Sequence, residues 1–232
     1  MTEAREDIRQ SLLQVQSRIK EAAVRSGRNE NDIILVAVSK SVGEETIAEA
    51  VKYGIKNCGE NRVQEFLPKQ KRFPGINWHF IGHLQTNKVK DVIGRACLIH
   101  SLDRWRLAEY IDDRAARKGI EVPVLVQVNV AGESSKHGLA PAEVMPFMEA
   151  AQDLDHLRIK GLMTIAPETD NPEEIRPIFK ELRQIFDTIS RKNYNNIEMR
   201  YLSMGMTGDL EVAVEEGANI IRVGRAIFGS RG

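Results

Sequence analysis

Val122-Pro123-Val124-Leu125-Val126-Gln127-Val128-Asn129-Val130 carries valine at every even position and places Gln127 and Asn129 at odd ones. Successive side chains of a strand point to opposite faces. The all-valine face suits packing against helices. The opposite face, with two amide side chains near its end, suits the interior of a barrel close to a site. Seven further β-branched runs share the pattern: Ile33–Ser39, Ile55–Cys58, Asn77–Ile81, Cys97–Ser101, Arg158–Ile165, Glu198–Ser203 and Ile220–Val223. Several are continuous apolar runs, as strands buried on both faces require.

Helical patterns alternate with these runs, around Glu44–Tyr53, Asn61–Lys71, Leu84–Ile93, Arg104–Lys118, Pro141–Gln152, Ile178–Arg191 and Leu210–Glu216. Another precedes the first strand, with apolar residues at Ile8, Leu12, Val15, Ile19 and Ala22. Gly54, Gly94, Gly119 and Gly217 stand where helices should stop. Strict βα alternation leaves a closed eight-stranded barrel or an open doubly wound sheet. The open sheet of the dinucleotide-binding kind needs GxGxxG after its first strand, and Ser39-Lys40-Ser41-Val42-Gly43 does not match. The expected fold is therefore a single α/β domain over residues 1–232, a (β/α)8 TIM-type barrel with an extra N-terminal helix.

Lys plus Arg and Asp plus Glu number 33 each among 232 residues. A net charge of zero gives no electrostatic reason to expect nucleic acid or an acidic membrane as partner, and leaves little self-repulsion against association. Cys58 and Cys97 form no CxxC pattern and read as reduced core thiols of a cytoplasmic protein. The first twenty residues are charged from the third and lack the apolar core of a signal peptide.

Chemistry in such a barrel sits at the C-terminal ends of the strands. Lys40 ends the run Ile34-Leu-Val-Ala-Val-Ser-Lys. Partial desolvation at a barrel mouth lowers a lysine's pKa and exposes an amine able to condense with an aldehyde. After strands seven and eight come Ser203-Met-Gly-Met-Thr-Gly-Asp209 and Arg222-Val-Gly-Arg225, where barrels commonly bind phosphate through loop amides and a helix N-terminus. Gly205, Gly208 and Gly224 would admit a phosphate, Ser203 could add a hydroxyl, Thr207 reads as a helix N-cap and Arg225 supplies a cation. An amine on strand one beside a phosphate cradle on strands seven and eight suits a small phosphorylated aldehyde. His79 and His83 show HxxxH spacing, but Gly82 and the strand pattern break the helical face of a zinc site. They read as a core and a site-rim histidine, with no metal. Lys136, in GESSKHG, reads as a solvated loop lysine.

The segments LVAVSK, GENRVQE, WHFIGHLQTNK, GLMTIAP, YLSMGMTGD and RVGRAIFG resemble the pyridoxal phosphate homeostasis protein family, also called the proline synthase co-transcribed bacterial homologue family. The resemblance runs from about residue 6 to the C-terminus. It implies the barrel of the alanine racemase N-terminal domain and pyridoxal 5'-phosphate (PLP) held as a Schiff base on Lys40. It places Asn61 near the phenolic oxygen, Ser203, Gly224 and Arg225 on the phosphate, and Arg222 at the pyridine nitrogen. Many members have Thr-Lys-Pro where this chain has Lys40-Ser41-Val42, and some have threonine or serine in place of Arg225.

The family reading is a non-catalytic carrier that buffers or delivers the cofactor, with apo pyridoxal-phosphate enzymes as acceptors, as a monomer or weak dimer. The alternative is a pyridoxal-phosphate-dependent amino-acid racemase. That chemistry needs a second acid/base opposite Lys40, in alanine racemases a tyrosine from a separate C-terminal domain. The sequence ends at Gly232, just after strand eight, so that domain is expected to be absent. A class I aldolase using Lys40 without cofactor is a third reading, and it predicts no bound chromophore.

Overall fold

The computed structural model describes residues 2–133 and 136–229, with side chains from residue 8 onward. Ser134 and Ser135 of the GESSKHG loop, and residues 230–232, lie outside the described residues. Eight parallel strands close into a barrel in chain order: β1 (Ile34–Val38), β2 (Asn57–Glu60), β3 (Asn77–Phe80), β4 (Leu98–Leu102), β5 (Val122–Gln127), β6 (Leu157–Met163), β7 (Ile197–Ser203) and β8 (Ile220–Val223). Helix α1 (Thr2–Arg25) precedes them. Between and after them run α2 (Glu44–Lys52), α3 (Val63–Arg72), α4 (Val89–Val92), α5 (Trp105–Lys118), α6 (Pro141–Ala151), α7 (Arg176–Ser190), α8 (Leu210–Glu215) and α9 (Arg225–Phe228). This is the eight-stranded α/β barrel that the alternation implies.

Strand parity sorts the core. Val36, Leu98, Leu125, Met163 and Ile220 pack together inside the barrel. Val122, Val124, Val126 and Val128 belong to the larger apolar layer shared with the surrounding helices. The valine face of β5 thus turns outward as its alternation predicts. The same parity carries β1 upward: Val36 lies in the interior, Val38 lines a cavity at the barrel mouth, and Lys40 lines it too.

Several boundaries differ from the sequence reading. The second strand occupies Asn57–Glu60 and not Ile55–Cys58. The amide of Ile55 bonds back to Ala50, closing the helix end, while Gly59 and Glu60 pair with β3. Pairing on both sides overrides the poor strand propensity of Gly-Glu. Residues 84–93 form a 3₁₀ turn (Thr86–Lys88) and the single turn α4 in place of a longer helix, with the Leu84 carbonyl accepting from Arg104 Nη2 at 2.9 Å. Asn61 stands at a bend and Arg62 is extended ahead of α3, and β5 ends at Gln127. Asp209, not Thr207, stands at the N-cap of α8, and the Thr207 hydroxyl accepts from the Ala226 amide instead. Cys58 is buried as expected, but Cys97 is exposed at the start of β4, so it is no core thiol. The four stop glycines all have positive φ. Among the described residues no helix is long and apolar enough to cross a membrane.

Helix α1 packs on α8 and α9. Arg18 forms two hydrogen bonds to Glu211, at 2.6 and 2.9 Å, and a third to the Thr207 carbonyl at 2.8 Å. Arg28 donates to the carbonyls of Val214 and Ala218.

Candidate functional site

A cavity of about 260 Å³ opens at the C-terminal end of the strands, near the lower end of the roughly 300–1,000 Å³ usual for small-molecule pockets. Lys40 comes to it from β1, Asn61 from β2, Gln127 and Asn129 from β5, and Arg222 from β8. A second cavity, of about 210 Å³, shares Lys136, Ile165 and Met206 with the first and is lined also by Gly208 and Arg225. Of the six residues expected at the site, Lys40, Asn61 and Arg222 meet in one cavity and Arg225 faces its neighbour. Gly224 sits in the turn between β8 and α9. Ser203 is fully buried and lines neither.

Gly82 sets the position of Asn61. A Cβ built there would lie 2.3 Å from the Asn61 carbonyl oxygen and 2.6 Å from its Cα, so only glycine admits this approach of β2 and β3 ends. Gly205 has a packing role: its φ is +96° and a Cβ would lie 2.6 Å from Ala213 Cβ. A phosphate is not needed to explain it.

The turn that presents Lys40 is anchored from below. Lys69, on α3, donates to the Ser39 carbonyl at 2.8 Å, to Glu60 Oε1 at 2.7 Å and to Glu65 Oε2 at 3.1 Å. The Ser39 hydroxyl donates to Glu60 Oε1, and the Ser41 amide donates to Glu65 Oε2. Both neighbours of Lys40 are therefore held by one buried ionic network. Ser41 has φ +60°, uncommon for a residue with a side chain. Burial pushes the Glu60 carboxyl above its usual range, opposed by its bonds to Lys69 and Ser39. The sequence reading missed this network, since Lys69 looks like any basic residue in a helix's last turn.

Arg222 forms the cavity floor. Its Nη1 donates to Ser203 Oγ at 2.6 Å and its Nη2 to the Thr164 carbonyl at 2.8 Å. Burial lowers its pKa to about 10, with Asp209 opposing, so it stays cationic at neutral pH. A chain of side chains continues beneath. Ser203 Oγ lies 3.0 Å from His100 Nδ1, and His100 Nε2 lies 2.9 Å from His79 Nδ1. His79 Nε2 lies 3.3 Å from Asn57 Oδ1 near the opposite end of the barrel. His79 is thus the core histidine that its strand position implied.

Burial lowers the His79 pKa to about 4 and holds His100 well below the usual imidazole range, where His79 and Arg222 add to the effect. The unfolded chain binds protons on these histidines that the folded chain refuses. Stability contributed by His79 is present above pH 6.5 and is lost as pH falls toward 4. A shift of this size corresponds to about 3 kcal/mol. Denaturant midpoints measured across that window should fall with pH, and less steeply in a His79→Gln, His100→Gln variant. A flat wild-type profile is the contrary outcome.

Comparison with known proteins places the barrel in a class. The profile of the family described as alanine racemase, N-terminal domain, matches residues 11–232. The alanine racemase of Clostridium difficile 630 superposes with a TM-score of 0.75 at 16% identity, covering 97% of this chain and 56% of that one, which shows the shared fold. The pyridoxal phosphate homeostasis protein of Aquifex aeolicus is 46% identical over 222 residues, 95% of this chain and 96% of that protein. PipY of Synechococcus elongatus, solved with PLP bound, is 33% identical with a TM-score of 0.79, covering 93% of this chain and all of that one. The chain belongs to the pyridoxal phosphate homeostasis protein family.

Proposed function

We propose that this barrel, acting as one domain, binds PLP, carries it as a Schiff base on Lys40 and buffers or delivers it to apo enzymes. The observation that carries the reading is the meeting of the Lys40 amine and the buried Arg222 guanidinium in one cavity. The residues fit the group. Lys40 offers a nucleophilic amine on the wall, Asn61 a polar side chain beside it, and Arg222 a fixed cation on the floor. The Gly224 turn and Arg225, at the adjoining cavity, suit a phosphate. Ser203 acts one layer below, holding Arg222 through its hydroxyl.

When bound, the cofactor supplies an aldehyde for a primary amine and an electron-withdrawing ring. Arg222 remains charged and donates hydrogen bonds without giving up a proton. A ring nitrogen held against it would stay unprotonated, which would weaken the ring as an electron sink. Among the described residues that line the cavity there is no tyrosine, the opposing base of alanine racemases, and the proton-holding groups besides Lys40 and Arg222 are His83, His137 and Lys136. These features support a carrier over a racemase.

The test is to mix cofactor-loaded protein with alanine, serine or glutamate in heavy water. Negligible exchange at Cα is expected, together with measurable cofactor transfer to an apo pyridoxal-phosphate enzyme. Exchange with inversion at enzymatic rates, about 1–10³ per second, would overturn the carrier reading.

A further inference from the structure

Three side chains at the cavity rim have no part in the proposed cofactor contacts. His83 follows β3, Asp103 follows β4, and His137 lies in the loop after β5. One ligand-capable atom from each lies within 4.8 Å of the other two. Nδ1 of His83 and Nδ1 of His137 face the same oxygen, Asp103 Oδ2, at 2.8 and 3.8 Å. The imidazoles stack with centroids 4.0 Å apart and planes 18° from parallel.

The supports of this cluster are built into the fold. Asp103 is almost fully buried, and its other oxygen, Oδ1, is held by Arg104. The same Arg104 anchors the carbonyl of Leu84, next to His83. Gln127 Nε2 donates to the His137 carbonyl at 2.8 Å, fixing that backbone too. Carboxylate and both imidazole backbones are therefore positioned before any ligand arrives.

We propose that His83, Asp103 and His137 bind a divalent transition cation of the Zn²⁺ type at the mouth of the Lys40 cavity. Two imidazole nitrogens and one carboxylate oxygen match zinc's preferred donors. With bonds of about 2.0–2.2 Å, tetrahedral ligands stand roughly 3.3–3.5 Å apart. The 2.8 and 3.8 Å separations to Asp103 bracket that value, and rotation of the two rings out of their stack would bring both nitrogen lone pairs onto one cation. Mg²⁺ and Ca²⁺ prefer all-oxygen shells, and this cluster offers a single carboxylate beside two nitrogens. Arg104 is the outer partner that orients the ligating carboxylate. Three protein ligands leave one position for water or for an anionic oxygen of a molecule entering the cavity. HxxxH spacing hides this arrangement, because His79 points into the barrel and the partners of His83 come from other strand ends.

The test titrates Zn²⁺ into dialysed, cofactor-loaded protein in competition with a chromogenic chelator. One equivalent is expected to bind. His137→Ala and Asp103→Asn should each weaken binding by more than about 100-fold, beyond the usual cost of losing an outer partner. His156→Ala, remote from the cluster, should bind as wild type does, and an unchanged circular-dichroism spectrum and denaturant midpoint in His137→Ala verify its fold. Failure of the wild type to bind Zn²⁺ would sink the proposal. So would equal affinity in wild type and in His137→Ala. Neither outcome touches the assignment of Lys40.

Discussion

Borohydride reduction of the cofactor-loaded protein is expected to leave a pyridoxyl group on Lys40, and Lys40→Ala is expected to lose the yellow colour and the adduct completely. The argument is geometric. Lys40 continues the inward parity of Val36 and Val38, so the strand delivers its amine to the cavity. Lys136 lines the same cavity from a loop and is the natural competitor. Peptide mapping decides between them, and an adduct on Lys136 or Lys88 overturns the assignment. The fold of Lys40→Ala should survive, since a side chain at the barrel mouth adds little packing. Its unfolding free energy is expected to stay within about 0.5 kcal/mol of wild type.

Lys69→Met should be the most destabilising single change near the site. Glu60 is fully buried and Lys69 nearly so, and Glu60 Oε2 has no hydrogen-bond partner among the described residues. Removing the ammonium strands a buried carboxylate, at a cost of roughly 3–5 kcal/mol. For a chain of this size that lowers Tm by roughly 10 °C. Glu60 should then take up a proton more readily, so its folded pKa rises further. The folded state would bind the extra proton, and the deficit should shrink as pH falls. Removing both charges, in Glu60→Gln with Lys69→Met, should recover much of the loss. Cofactor loading offers a separate readout. Ser39 and Ser41 lose their anchors in Lys69→Met, so condensation on Lys40 should slow even at temperatures where the variant is folded. Wild-type stability and loading in Lys69→Met would show that the network is incidental.

Much of the barrel was legible because its signals are periodic. The alternation in Val122–Val130 separates the helix-facing valines from Gln127 and Asn129, and both amides do reach the cavity. Lys40 was legible because it ends an apolar strand run at the barrel mouth, whereas Arg222 was placed only by the family resemblance. What escaped is what depends on pairing across distant segments. Glu60 carries no local sign of burial, and only the packing of β3 and α3 encloses it. Ser203 reads as a hydroxyl offered to the phosphate, while the structure buries it below the cavity, bonded to Arg222 and beside His100. Asp103 and His137 carry no local pattern at all, because their shared geometry exists only after three strand ends converge.

The seam of the barrel has a consequence for biogenesis. Lys40 and Arg222 belong to the first and last strands, which pair directly. Arg18 reaches Glu211 across a separation of 193 positions. A nascent chain with its last strand still inside the ribosome has an open sheet edge where this wall should be. Contacts of such high sequence separation form late, after the closure entropy of nearly the whole chain has been met. The wall between β1 and β8 therefore closes only after β8 has been made, and the Lys40 amine exists in the growing chain before the guanidinium that will stand beside it.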